Sequence, residues 1–210
     1  ADAQYQLGYC YGYGKGVAAD AVQAIHYYQL SADQGNADAQ YVLGLCYHIG
    51  KGVSVDSVQA VHYYQLAADQ GNADAQFILG VCYRDGVGVS VDTVQAVHYY
   101  QLGADQGYAN AQHQLGNCYR DGKGVSVDTV QAVHYYQLSA DQGHAGAQCS
   151  LGWCYRNGKG VAADAVKAVH YYQLGADQGY ANAQHQLGNC YRDGKGVSVD
   201  TVQAVHYYQL

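Results

Sequence analysis

The tetrapeptide that opens the chain, Ala1-Asp-Ala-Gln, returns with small changes at positions 37, 73, 109, 145 and 181, a strict period of 36 residues. Leucine holds one column of that register (Leu7, Leu43, Leu79, Leu115, Leu151, Leu187). Cysteine holds another (Cys10, Cys46, Cys82, Cys118, Cys154, Cys190). A unit this short cannot bury its apolar side chains alone. Stacked units can, each covering its neighbour, so the period predicts a solenoid that grows by addition around a long thin core. The register sets units at 1–36, 37–72, 73–108, 109–144, 145–180 and 181–210, read as one repeat domain over 1–210. Such an array argues for a scaffold rather than a catalyst.

Each unit reads as two helices. In residues 37–72, Ala39, Leu43, Cys46 and Tyr47 recur at spacings of three and four, which gives a first helix. Gly44 lies inside it, and its column is glycine in every unit (Gly8, Gly44, Gly80, Gly116, Gly152, Gly188). Glycine within a helix costs about 1 kcal/mol. A cost repeated in every unit points to a close helix crossing that admits no side chain. Gly50-Lys-Gly-Val then turns the chain. Asp56 with Gln59 fits a capping box ahead of a second helix carrying Ala60, Tyr63, Tyr64 and Ala68. The pair recurs at Asp20/Gln23, Asp92/Gln95, Asp128/Gln131 and Asp200/Gln203. Unit five has Asp164/Lys167, which leaves half a box. First helices are expected near 2–11, 38–47, 74–83, 110–119, 146–155 and 182–191. Second helices are expected near 21–33, 57–69, 93–105, 129–141, 165–177 and 201–210. The column of Tyr28, Tyr64, Tyr100, Tyr136, Tyr172 and Tyr208 reads as core, each ring packed and each hydroxyl a polar tip.

The residues Ala39, Leu43, Gly44, Tyr47, Gly50, Gly52, Val53, Asp56, Ala60, Tyr64, Ala68, Gln70 and Gly71 make a motif that resembles the Sel1-like repeat family, relatives of the tetratricopeptide repeats. The resemblance covers essentially the whole chain, six times over. It implies an all-α fold, an antiparallel helix pair per unit stacked into a right-handed superhelix with a concave groove. It also implies an adaptor for protein complexes, often in bacterial envelopes, secretion pathways or the endoplasmic reticulum. That weakly favours an extracellular, cell-surface or periplasmic setting. It brings no catalytic residues.

The departures from that pattern lie on the second helix. Positions where such repeats usually carry charge hold His26 and Leu30, and likewise His62/Leu66, His98/Leu102, His134/Leu138, His170/Leu174 and His206/Leu210. Val22, Val58, Val94, Val130, Val166 and Val202 replace a frequent acid. Tyr27, Tyr63, Tyr99, Tyr135, Tyr171 and Tyr207 stand where tryptophan is common, and the chain has no proline. A helix apolar nearly all round is normally covered on more than one side. Single exposed apolar residues are ordinary. Six aligned leucines instead suggest a stripe covered by another chain.

Segment 108–138 is identical to 180–210. Units so alike present the same chemistry at each step, which suits a repeating partner or a second copy of the chain. No polar capping repeat is visible at either end, so either caps lie outside this stretch or neighbouring molecules cover the ends, and an open head-to-tail contact of the second kind propagates into a filament. Self-association through the leucine and histidine columns is therefore the favoured expectation. An adaptor binding a different protein in the concave groove is the alternative. Histidine titrates near neutrality, so assembly through this ladder would respond to pH.

Other chemistries fit poorly. Charged residues are 13% of the chain and the net charge is −7, with no visible basic patch, so nucleic acid is not an expected partner. No apolar run approaches the roughly 18 residues of a membrane helix. No signal peptide precedes the first unit, and a chain starting in mid-register says nothing of a leader. The six periodic cysteines read as buried thiols, since stacked helices hold equivalent Cα atoms roughly 9–10 Å apart and a disulfide wants less than about 7 Å. Cys149 stands in a column otherwise held by Tyr5, Tyr41, Phe77, His113 and His185, either free or paired. No catalytic, metal or cofactor site is expected, because such sites need different residue types meeting at one point. The columns spread theirs along a line, and His48 and His144 stand alone. Gly12-Tyr-Gly-Lys-Gly lacks the ending and preceding strand of a phosphate loop. The stretch 121–128 lacks the dense oxygens of a calcium loop. The chain has no sequon for N-linked glycan.

Overall fold

The computed structural model describes residues 1–210 as twelve α-helices and no strand. The first helices of the repeats are α1 (Asp2–Tyr13), α3 (Ala37–Ile49), α5 (Ala73–Asp85), α7 (Ala109–Asp121), α9 (Ala145–Asn157) and α11 (Ala181–Asp193). The second helices are α2 (Ala21–Ala32), α4 (Ser57–Asp69), α6 (Thr93–Asp105), α8 (Thr129–Asp141), α10 (Ala165–Asp177) and α12 (Thr201–Gln209). The chain is an all-α solenoid of 36-residue helix–turn–helix repeats. It divides into two compact units, Ala1–Gln106 and Gly107–Leu210, each with three helix pairs.

First helices run two residues past the expected end, because glycine stops them. Gly50 takes φ 75°, a left-handed conformation, and its N–H donates to the Cys46 carbonyl, as a C-terminal glycine cap does. The second glycine of the turn has a different duty. A Cβ on Gly160 would lie 2.0 Å from the carbonyl oxygen of Thr129, and one on Gly52 would lie 2.5 Å from that of Ala21. The turn thus presses on the first turn of the preceding second helix, so the glycine motif is a stacking contact.

The expected capping box is only half formed, in every repeat. Asp56 accepts from the Val58 and Gln59 N–H groups, each at 3.0 Å. Gln59 does not reach back, because the N–H it would accept is already used: Asp56 N donates to the Tyr47 carbonyl at 3.0 Å. Asp20, Asp92, Asp128, Asp164 and Asp200 make the same bond to Tyr11, Tyr83, Tyr119, Tyr155 and Tyr191. Repeat five is therefore less deviant than its Lys167 suggested. Asp164 still caps, accepting from Lys167 N at 2.9 Å.

The helical glycines mark the close crossing. A Cβ on Gly44 would meet the Tyr64 ring at 2.5 Å, and on Gly152 the Tyr172 ring at 2.6 Å. Tyr64, Tyr136 and Tyr172 are fully buried, with Leu43, Leu79, Leu151 and Leu187. Each tyrosine packs on the next repeat as well as its own; Tyr136 joins Ala147, Leu151 and Cys154 in one cluster.

Polar ladders tie neighbouring repeats. The Tyr63 hydroxyl donates to Gln29 Oε1 at 2.8 Å, Tyr99 to Gln65 at 2.7 Å and Tyr171 to Gln137 at 3.0 Å. Each of these rings also stacks on a tyrosine of its own first helix, as Tyr63 does on Tyr47 with centroids 5.6 Å apart. Gln70 donates to the buried Gln40 at 2.6 Å, and Gln178 to Gln148 at 2.8 Å. No disulfide joins any of the seven cysteines, and all but Cys10 and Cys149 are buried. Burial pushes Cys82 and Cys154 up to about 11. Cys149 is unpaired, packs against the core around Tyr172, and is likewise pushed up to about 11.

Candidate functional site: the exposed face of the first helices

Differences between repeats are concentrated on one side of the first helices. One column runs Tyr9, Leu45, Val81, Asn117, Trp153, Asn189. Three and four residues on, the columns run Gly12, His48, Arg84, Arg120, Arg156, Arg192 and Tyr13, Ile49, Asp85, Asp121, Asn157, Asp193. Spacings of three and four place these side chains on one helix face. The exposed positions of the second helices repeat valine and histidine without change.

In the unit Ala1–Gln106 this face is largely apolar and aromatic on α1 and α3, and carries the Arg84–Asp85 ion pair on α5. Tyr5, Tyr9 and Tyr13 of α1 and Val42, Leu45 and Ile49 of α3 line a cleft of about 200 Å³. Lysines rim it. Lys15 Nζ hydrogen bonds the Tyr9 hydroxyl at 3.0 Å, and Lys51 Nζ lies 4.9 Å from the centre of the Tyr13 ring. Cations over tyrosine faces are held by the ring quadrupole.

In the unit Gly107–Leu210 the same face is polar. The rings of His113 and His144 are 4.7 Å apart. His113 Nε2 lies 3.2 Å from Ser150 Oγ, which itself donates to the Gly146 carbonyl at 3.0 Å. The serine proton is thus committed to its own helix, so His113 donates to Ser150 rather than withdrawing a proton from it. His144 Nδ1 accepts the Ala147 N–H at 3.0 Å and caps α9. Burial first, then the neighbouring His144 and Arg120, pulls His113 down to about 4. Burial also lowers His144. Both rings are neutral near pH 7 and hold structural roles. Trp153, the single tryptophan, is 39% exposed beside this cluster.

The residues singled out from sequence lie elsewhere. His26, His62, His98, His134, His170 and His206 are all exposed on the second helices, each edge-on to the tyrosine that follows, as His134 is to Tyr135 at 5.2 Å. Leu30 and Leu102 are half-buried; Leu66, Leu138, Leu174 and Leu210 are exposed. The valine column is more open, with Val58 65% exposed. The first-helix face escaped the sequence reading because its variation was averaged over 36-residue units. Column-by-column comparison of the first helices carried the signal.

A Sel1 repeat model matches residues 1–36, 37–72, 73–108, 109–144, 145–180 and 181–210. Among solved structures, c5321, described as a protective antigen of uropathogenic Escherichia coli with an SLR fold, is 37% identical with a TM-score of 0.94. The alignment covers 99% of this chain and 44% of that one, so the chain spans less than half of that relative. A Sel1 repeat protein from Oxalobacter formigenes is 33% identical with a TM-score of 0.90, covering 99% of this chain and 83% of its own. The immunity protein Pa5087 of Pseudomonas aeruginosa, 22% identical with a TM-score of 0.58 over 99% of this chain and 79% of its own, shares the fold alone. No curated protein matches the chain. No helix is long and apolar enough to cross a membrane.

Proposed function

The chain belongs to the Sel1 repeat family, and we propose that it is a non-catalytic scaffold that binds a different protein on the exposed face of its first helices. One observation carries this: repeat-to-repeat variation is concentrated on that face while the rest of the unit is nearly constant. A surface tuned to an irregular partner needs different side chains at different steps, and these helices supply them: the Tyr9/Leu45 cleft in one unit, the Trp153 surface in the other. Photo-crosslinking residues placed at Leu45 and Trp153, with controls at Val58 and His134, test it in extract of the native organism. Adducts to one heterologous protein from the first-helix positions are expected. Adducts from the control positions alone would overturn the reading.

Self-association is a second reading, and the exposed Val58, His62 and Leu66 favour it. They lie four residues apart on α4, the spacing of a single helix ridge, and the valine and histidine recur on every second helix. A ridge of this kind suits lateral pairing with another copy; growth into a filament is its strongest form. Light scattering across concentration tests it. Association broken by Leu66→Lys with Leu138→Lys is the expected result, and a monomer at high micromolar concentration would sink the idea.

A further inference from the structure

Three first helices pair their arginine within the helix. Arg84 meets Asp85 at 2.7 Å, Arg120 meets Asp121 at 2.7 Å and Arg192 meets Asp193 at 2.8 Å. In α9 the arginine remains and the acid does not: Arg156 is followed by Asn157. Asn157 turns back and donates to the Trp153 carbonyl at 2.8 Å. No carboxylate lies within ion-pair distance of Arg156. Its guanidinium is held instead by Gln186 of α11, with Nη1 donating to Oε1 at 2.8 Å. Lys195 completes the surround of Trp153, Arg156, Asn157 and Gln186. Asp193 feels the charge of Arg156, and it is occupied by Arg192 and, at 3.9 Å, by Lys195. Arg156, Arg192 and Lys195 therefore face one carboxylate, a local excess of cations in a chain whose net charge is −7.

We propose that Trp153, Arg156 and Lys195 form a subsite for a side-chain carboxylate of the bound partner, set beside an apolar residue that packs on the indole. The inference rests on first-helix binding as proposed above and names the chemistry recognised at one step of that face. A guanidinium with N–H donors beyond the one spent on Gln186, braced by that neutral amide, is prepared for a planar carboxylate. The pre-set geometry lowers the ordering cost of binding. The adjacent indole, 39% exposed, offers a flat apolar surface of the sort that anchors interfaces. The missing aspartate is what frees the charge: in the sibling helices the same arginine is already neutralised.

Trp153 is the only tryptophan, so its fluorescence reports the subsite directly. The probes are the peptide acetyl-Gly-Glu-Phe-Gly-Glu-Phe-Gly-amide, its glutamine counterpart, and inorganic phosphate. The glutamate peptide should bind at least fivefold more tightly than the glutamine peptide. Asn157→Asp, which installs the residue its siblings carry, should remove that difference while leaving the glutamine peptide unchanged. Arg156→Gln should do the same. Equal binding of both peptides would overturn the carboxylate subsite and leave first-helix binding standing. Phosphate competing as well as the glutamate peptide would reduce it to a general anion hole, which also overturns the proposal. Silence of Trp153 toward both peptides overturns it too, and crosslinking at Leu45 then judges the broader reading separately.

Discussion

At the scale of residues, single atoms decide whether helices can meet. Gly152 costs α9 about 1 kcal/mol of helix propensity, yet a methyl there would lie 2.6 Å from the buried Tyr172 ring. Overpacking of this kind costs about 1–3 kcal/mol, so Gly152→Ala is expected to destabilise despite its better propensity, read as a lower urea midpoint. His113 gives a pH signature. Its folded value, about 4, lies below the 6.5 of an unperturbed histidine, so the unfolded chain takes up its proton first. Stability is full near pH 7, falls as pH drops through 6.5, and levels below about 4, with a loss of up to about 3 kcal/mol. His113→Gln should flatten that part of the pH–stability curve, measured by denaturation between pH 7 and 4. At this scale the glycine column was legible in sequence as a close crossing. The burial of His113 was not, because it depends on His144 at the far end of its own repeat and on Ser150 in the next.

At the scale of elements, local signals were reliable and their details were set by neighbours. The recurring aspartate located every second helix to within a residue, since it does cap, even in repeat five where lysine replaces the glutamine. The glutamine half of the box was misleading, because the carbonyls of Tyr47 and its equivalents take the N–H first. Asp128 satisfies two donors, Val130 N and Gln131 N, whereas Asp164 satisfies Lys167 N alone. Loss of a cap costs about 0.5–2 kcal/mol. Asp128→Ala should therefore cost more than Asp164→Ala, a difference visible in paired thermal melts. Substituting the glutamine, as in Gln131→Ala, should leave the cap intact.

At the scale of the whole molecule, stability is a sum over adjacent repeats, and the tyrosine–glutamine bonds are part of each term. Tyr171→Phe deletes the bond to Gln137 while keeping the stacked ring. The expected cost is about 0.5–1.5 kcal/mol, measured as a shift in urea midpoint without loss of helicity. The two identical segments, 108–138 and 180–210, separate what each level of structure supplies. Their helices, caps and turn glycines are the same, because periodicity, Asp capping and left-handed glycine are local properties that the residues carry with them. Their environments are not. Tyr136 is fully buried under Leu151 and Cys154, and its twin Tyr208 is 42% exposed. His113 is enclosed by His144 and Ser150, while His185 is exposed. The repeat, the helix pairs and the core columns were all legible in the order of the residues. Which tyrosines are covered, and that Arg156 is braced by Gln186, came only with the packed repeats, because burial and charge pairing depend on the neighbouring repeat.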